Sequence, residues 1–334
     1  MYTDEDLDAA VEHGIFSSQS VSQFRTQMSA STQTPAVDEE NFRLISGFND
    51  IFVLIACMLL MVCAAWVLGR TDDVLGLLVY PVLSWGLAEF FVRKRKMALP
   101  AIVLLLSFVG GVFALSEHVF HSLGDDVYSV ATALSAIAAY LHWRRFRVPI
   151  TVAAGVAALF GFIIAISLSA FPALEEWLMS MLFIAGLMTF AIAMIWDASD
   201  TKRLTHRSDV AFWLHLLSAP MIAHPVFNSL GILKGSENIE SMIIVIALYV
   251  VMSVISIVVD RRAFMVSSLG YVLYAISKIL EVYGDVGYSF AVTGVAIGAV
   301  LLLLSAFWRG VRVKVLGMMP SAVKRSVPAV TIVN

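Results

Sequence analysis

The chain is divided into ten apolar stretches, each near the length that a helix needs to cross a bilayer, joined by short polar connections. A hydrocarbon core about 30 Å thick takes about 20 predominantly apolar residues per helical crossing. With 60% hydrophobic residues and a mean hydropathy of +0.87, the predicted fold is all-α, a polytopic transmembrane bundle. The crossings are placed at residues 47–68, 74–92, 97–116, 124–141, 148–170, 176–196, 209–230, 239–259, 264–283 and 286–308. The fourth is the weakest, because Gly124, Asp125 and Asp126 crowd one end of it.

The basic residues test the count, since short cytoplasmic loops collect Lys and Arg. Arg93 to Lys96 follow helix 2, and Arg144, Arg145 and Arg147 follow helix 4. Lys202, Arg203 and Arg207, then Arg261 and Arg262, follow helices 6 and 8. Arg309, Arg312, Lys314, Lys324 and Arg325 come after helix 10, whereas the opposite loops hold only Arg70 and Lys234. An even count places both termini in the cytoplasm; an odd one breaks the segregation.

Three regions follow: an acidic cytoplasmic segment 1–45, a transmembrane domain 46–308 and a basic cytoplasmic tail 309–334. The first carries eight acids and no basic-then-apolar opening of the kind found in a cleaved signal. Asp4 with Leu7, Ala10 and Val11 reads as a short capped helix that Gly14 stops. Ser17 to Met28 reads as a second helix with Val21 and Phe24 on one face. Such a pair is too small for a large core, so it is expected to lean on the membrane domain, on a second copy in a homo-oligomer or on a protein partner, unless it is a loosely ordered tail. The C-terminal bases are expected to lie against anionic lipids of the inner leaflet, with no need for nucleic acid. Cys57 and Cys63 are six residues apart on helix 1, too far around it to pair, and read as packing residues.

An internal similarity groups the helices. Val119-Phe120-His121-Ser122-Leu123-Gly124 returns as Val226-Phe227-Asn228-Ser229-Leu230-Gly231, and Lys96 matches Arg203 at the same offset. Helices 2–5 and 6–9 are thus expected to be two parallel copies of a four-helix unit, with helices 1 and 10 peripheral. Chance resemblance of short motifs is the competing explanation.

The repeat brings the outer ends of helices 3 and 7 together. Glu117, His118 and His121 stand near the first; His224, Pro225 and Asn228 stand near the second, with Pro220 a turn earlier. Prolines free backbone carbonyls that something nearby must satisfy, so helix 7 is the expected deformed helix at a cavity, although kinks are also common in ordinary membrane helices. On helix 9, Ser267, Tyr271, Tyr274, Lys278 and Glu281 recur at spacings of four and three and form a polar stripe. A lipid-facing lysine at the bilayer centre costs about 2.5–3.5 kcal/mol, so Lys278 is expected to point inward. The plainer account is an ion pair with Glu281 plus tyrosines bonding neighbouring helices, within snorkelling distance of the surface.

The expected substrate or proton pathway is therefore Glu117, His118, His224, Lys278 and Glu281, continued inward by Tyr271, Tyr274 and His215. Histidines that titrate near neutrality suit proton coupling or capture of a small ionised solute. His118 and His121, with Glu117 and His224, are weak zinc candidates, since their spacing is not that of a metalloprotease helix. His142, His206 and His13 read as solvated, Glu89 as a surface partner of Arg93, and Asp209 or Ser208 as a helix cap. No catalytic motif and no cofactor-binding loop stands in the chain.

The stretch Leu7-Asp8-Ala9-Ala10-Val11-Glu12-His13-Gly14-Ile15-Phe16-Ser17, ahead of many apolar helices, resembles the start of a family of bacterial multi-pass inner-membrane proteins of uncharacterised function. The resemblance implies an inner-membrane location and carries no catalytic residues. Three functions stay open: a permease for a small solute or ion; a membrane scaffold, assembly factor or sensor acting through its N-terminal segment; and an intramembrane enzyme.

Overall fold

A computed structural model describes residues 7, 10–24, 48–200, 205–230, 239–283, 289–321, 324 and 327. Side chains at 239, 241, 242, 278–283, 289, 290 and 292 lie outside that description. The chain divides into two units, residues 1–39 with 330–334, and residues 40–329.

In the small unit, residues 10–12 and 18–24 are helical. Gly14 has φ +70°, and the amides of Ile15 and Phe16 return to the Ala10 carbonyl at 2.9 and 3.2 Å. Glycine takes this left-handed conformation at little cost, which is why the helix stops there. Ser17 Oγ then accepts from the Ser20 amide at 3.0 Å and caps the next helix. Val21 is buried, whereas Phe24, Ile15 and Phe16 are exposed. Residues 25–28, expected to extend this helix, lie outside the described residues.

The large unit is all-α. Its described helices are α1 Phe48–Gly69, α2 Asp73–Ala88 with a π-helical turn Glu89–Lys94, α3 Ala98–Val119, α4 Val127–Phe146, α5 Ile150–Ala170, α6 Leu178–Ser199, α7 His206–Ser229, α8 Ile239–Val259, α9 Ala263–Tyr283 and α10 Ser289–Met318. Seven are long and apolar enough to span a membrane: α1, α2 with its π turn, α3, α5, α6, α7 and α10. The apolar described stretches of α8 and α9, Ile243–Val259 and Ala263–Ser277, are shorter. The remaining helix, α4, falls short because His142, Arg144 and Arg145 interrupt its last turns.

Packing runs largely between sequence neighbours. The α1, α2 and α3 helices form one cluster, α3 and α5 flank α4, and α5 and α6 both lie on α7. The α9 helix packs on α7, α8 and α10. Small residues set the closest crossings. A Cβ on Gly111 of α3 would sit 2.6 Å from Tyr80 Cβ and 2.9 Å from Pro81 Cδ of α2.

Three features bear on the expected layout. First, α1 packs on α2 and α3, with Cys57 and Met61 buried in one core with Leu104 and Leu105, while 17% of its apolar stretch is buried. Second, the matched hexapeptides fold differently, and no repeat emerges. Phe120 and His121 fall beyond the end of α3 and are exposed, His121 opening a 3-10 turn, whereas Phe227 lies inside α7 and is fully buried. The physical reason is tertiary, since Phe227 has the Tyr271 ring to stack on. Third, α10 continues as helix through Arg309 to Met318.

Two helix-ending residues near the basic loops are left-handed without being glycine, Lys96 after α2 (φ 53°) and Arg147 after α4 (φ 55°). Each conformation costs about 1 kcal/mol that glycine would avoid.

Candidate functional site

The most buried charges gather where α6, α7 and the α8–α9 turn meet. Asp197 lies in the last turn of α6, His215 on α7 and Arg261 immediately after α8, each at most 2% exposed. Arg261 Nη2 and Nε donate to Asp197 Oδ1 and Oδ2 at 2.7 and 3.4 Å. His215 Nε2 donates to Oδ2 at 3.0 Å, and a second bond from Arg261 Nη2 reaches the Ser208 carbonyl at 3.1 Å. Phe190 and Phe264 pack on the imidazole, so the carboxylate is held by two cation-capable groups inside an apolar wall.

The local chain explains the placement. Asp260 takes φ 63°, which turns the backbone sharply, and the Arg261 amide bonds back to the Ser256 carbonyl at 2.9 Å. The Ser256 hydroxyl also donates to the Arg261 carbonyl. Consecutive side chains then leave in opposite directions: Arg261 goes to α6, while Asp260 accepts from Trp308 Nε1 at 2.8 Å and faces Arg312 Nη1 at 3.5 Å on α10. The turn between α8 and α9 therefore ties these two helices to α6, α7 and α10.

A second polar contact lies farther along α7. His224 Nδ1 and the Tyr271 hydroxyl share a hydrogen bond of 2.6 Å, and Phe227 stacks on Tyr271 at 4.4 Å. Both polar partners are half-buried. Nine residues of helix, about 13 Å at 1.5 Å each, separate His224 from His215. Pro220 and Pro225 fall between or beside them.

A third group joins α2, α4 and α5. Arg145 Nε and Nη2 donate to both oxygens of Glu89 at 2.6 and 2.9 Å, and Arg93 Nη1 reaches the same carboxylate at 3.3 Å. His142 is 1% exposed, not solvated as expected, with Nδ1 3.2 Å from Thr151 Oγ1 and the rings of Trp85, Phe108 and Phe146 around it.

The predicted pathway is only partly assembled. His224 and Tyr271 meet. His215 belongs to the Asp197 group instead, and Tyr274 is 39% exposed rather than continuing the path inward. At the end of α3, Glu117 is half-buried and His118 and His121 are exposed; among the described residues no hydrogen bond or ion pair joins them to His224. The backbone is helical through Lys278 and Glu281, whose side chains lie outside the described residues. Among the described residues no three His, Cys, Asp or Glu side chains converge as a metal site, so His118 and His121 lack further donors. The cap of α7 is Thr205, whose Oγ1 accepts from the Arg207 amide at 3.2 Å, rather than Ser208 or Asp209.

Asp197, Arg261 and His142 are the residues that sequence reasoning passed over. A usable signal exists for the first: a carboxylate in the last turn of a helix faces the negative end of its dipole and calls for a cation. Glu89 at the end of α2 carries the same signal. No protein-family model matches the chain, and neither a curated protein nor a solved structure matches it significantly. The chain has the general layout of a multi-pass helical membrane protein with seven candidate spans among the described residues.

Proposed function

We propose that the chain is a proton-responsive permease for a small solute or ion, with α7 as its working helix. Ten crossings, both termini cytoplasmic and a bacterial inner membrane complete the reading; the segregated basic loops support the orientation. One observation carries the function. The α7 helix is the most interior of the candidate spans, with half of its apolar stretch buried against 6–39% for the others, and its two inner histidines, His215 and His224, are held by polar groups of different neighbouring helices. Ionisable groups inside a membrane bundle mark pathways and relays more often than packing. Prolines at 220 and 225 weaken the helix where it must change partners.

The test uses the full chain in vesicles on a solid-supported membrane, challenged in turn with potassium chloride, sodium succinate, glycine and putrescine under an acid-outside step. A saturable charge displacement with at least one probe is expected. It falls about tenfold in Tyr271→Phe and in His224→Gln, the equivalent of one lost buried hydrogen bond. Currents equal to those of protein-free vesicles for all four probes contradict the reading.

A second reading, a scaffold, assembly factor or sensor, is favoured by the exposed Ile15, Phe16 and Phe24 of the small N-terminal unit. Deleting residues 1–40 separates the two, because a permease keeps its currents and a scaffold loses its partner.

A further inference from the structure

The ends of α2 and α4 form a basic surface that the permease reading does not use. Arg93, Lys94, Arg95 and Lys96 on one side, and Arg144, Arg145 and Arg147 on the other, are all exposed. Glu89 receives both Arg93 and Arg145, so a single carboxylate draws the two helix ends together and leaves the surface strongly positive.

Three features shape this surface beyond the general gathering of bases on one side of a membrane protein. The end of α2 widens into a π-helical turn, closed by the Arg95 amide on the Phe90 carbonyl at 3.0 Å and the Met97 amide on Phe91 at 3.0 Å. Such turns are rare and concentrate at functional positions. Aromatic rings back three guanidinium groups: Arg95 over Phe90 at 5.6 Å, Arg144 over Tyr140 at 6.0 Å and Arg147 over Trp143 at 5.6 Å. A ring behind a guanidinium orients it at the interface and leaves its N–H edge for an oxygen ligand. Finally, Lys96 and Arg147 both occupy left-handed positions where glycine is the easy residue. The helix dipole favours a cation in the last turn, but the arginines and lysine within those turns already supply it. A base at each strained position adds charge where backbone preference argues against it.

We propose that the joined ends of α2 and α4 are a binding site for the phosphate headgroup of an anionic phospholipid, with Lys96, Arg144 and Arg147 as its principal ligands. Arginine forks match phosphate oxygens, and the aromatic rings beneath them suit the boundary between headgroup and acyl chain. The lipid would brace the two helix ends that Glu89 already links. The site stands whether or not the chain transports a solute.

The test is the double variant Lys96→Gly with Arg147→Gly, made in the full chain in neutral detergent. Phosphatidylglycerol is titrated in, and its apparent affinity is read from the shift in the melting temperature. Wild type is expected to be stabilised by phosphatidylglycerol and not by phosphatidylcholine. The double variant should melt no lower than wild type without anionic lipid, because glycine relaxes both turns, yet bind phosphatidylglycerol about twenty-five-fold more weakly, about fivefold per cation. Arg309→Gln with Lys314→Gln removes two exposed bases at the end of α10 and should lose clearly less. An unchanged affinity in the glycine variant overturns the site, as does an equal loss in the α10 variant. A shift of the same size with inorganic phosphate alone overturns the assignment to lipid.

Discussion

Replacing Arg261 by alanine is expected to destabilise the membrane unit by about 3–5 kcal/mol, the usual effect of leaving a buried charge without its partner. Asp197 would keep only His215, in a site that is 1% exposed and walled by Phe190 and Phe264. Arg261 also releases the Ser208 carbonyl at the start of α7, so the loss spreads to α6, α7 and α9 together. The measurement is urea or thermal unfolding of the purified chain in one detergent, compared with the wild type. The double substitution Asp197→Leu with Arg261→Met should recover much of the loss, because apolar pairs of similar volume often replace a buried ion pair without penalty. If Arg261→Ala melts with wild-type stability, the node does not hold the helices as described.

Gly111→Leu is expected to disrupt the α2–α3 crossing by about 3 kcal/mol or more, at the upper end of what overpacking costs. The first atom of any side chain there meets Tyr80 Cβ at 2.6 Å and the Pro81 ring at 2.9 Å. Neither can rotate away, since one is fixed to the backbone and the other is cyclic. The helices must separate, which opens the core containing Leu104 and Leu105. Gly110→Leu is the matched control, because nothing lies within 4 Å of a Cβ there. A lowered melting temperature in the first and little change in the second is the expected pair of results; equal effects at both positions contradict the crossing.

The helices themselves were legible because hydropathy over twenty residues reports directly on membrane length. Most predicted ends fall within about three residues of the observed ones, inside the usual uncertainty of such reading. Where they differ, the reason is local. The last helix runs past Arg309 because Trp308 and Arg312 find partners at Asp260, and a charged stretch with buried partners remains helical. The fourth span looked weak from its acidic end, and α4 is indeed outside the seven candidates, though the bases at its other end contribute as much.

The polar interior was much less legible. Loop arginines served only to mark the cytoplasmic side, and nothing local distinguishes Arg261, which folds inward, from Arg144, which stays exposed. Asp197 and Arg261 are 64 positions apart, and only the α8–α9 turn decides that they meet. The hexapeptide match failed for the same reason, since nearly identical letters at the ends of α3 and α7 meet different neighbours. Of the stripe on α9, Tyr271 meets His224 of α7, while Tyr274 is 39% exposed. A difference of three residues rotates a side chain by about 60° at 3.6 residues per turn, enough to move it from a helix contact to the surface.

The central claim, that α7 lines a hydrated path rather than a sealed core, is tested most directly by the reach of water to His224. With Cys57 and Cys63 changed to serine, His224→Cys is treated in intact cells with a membrane-impermeant maleimide, beside Glu176→Cys in the loop between α5 and α6 as the positive control. Labelling at both positions from outside, with protection at 224 by a transported solute, is the predicted result. Labelling at 176 and none at 224 would contradict it.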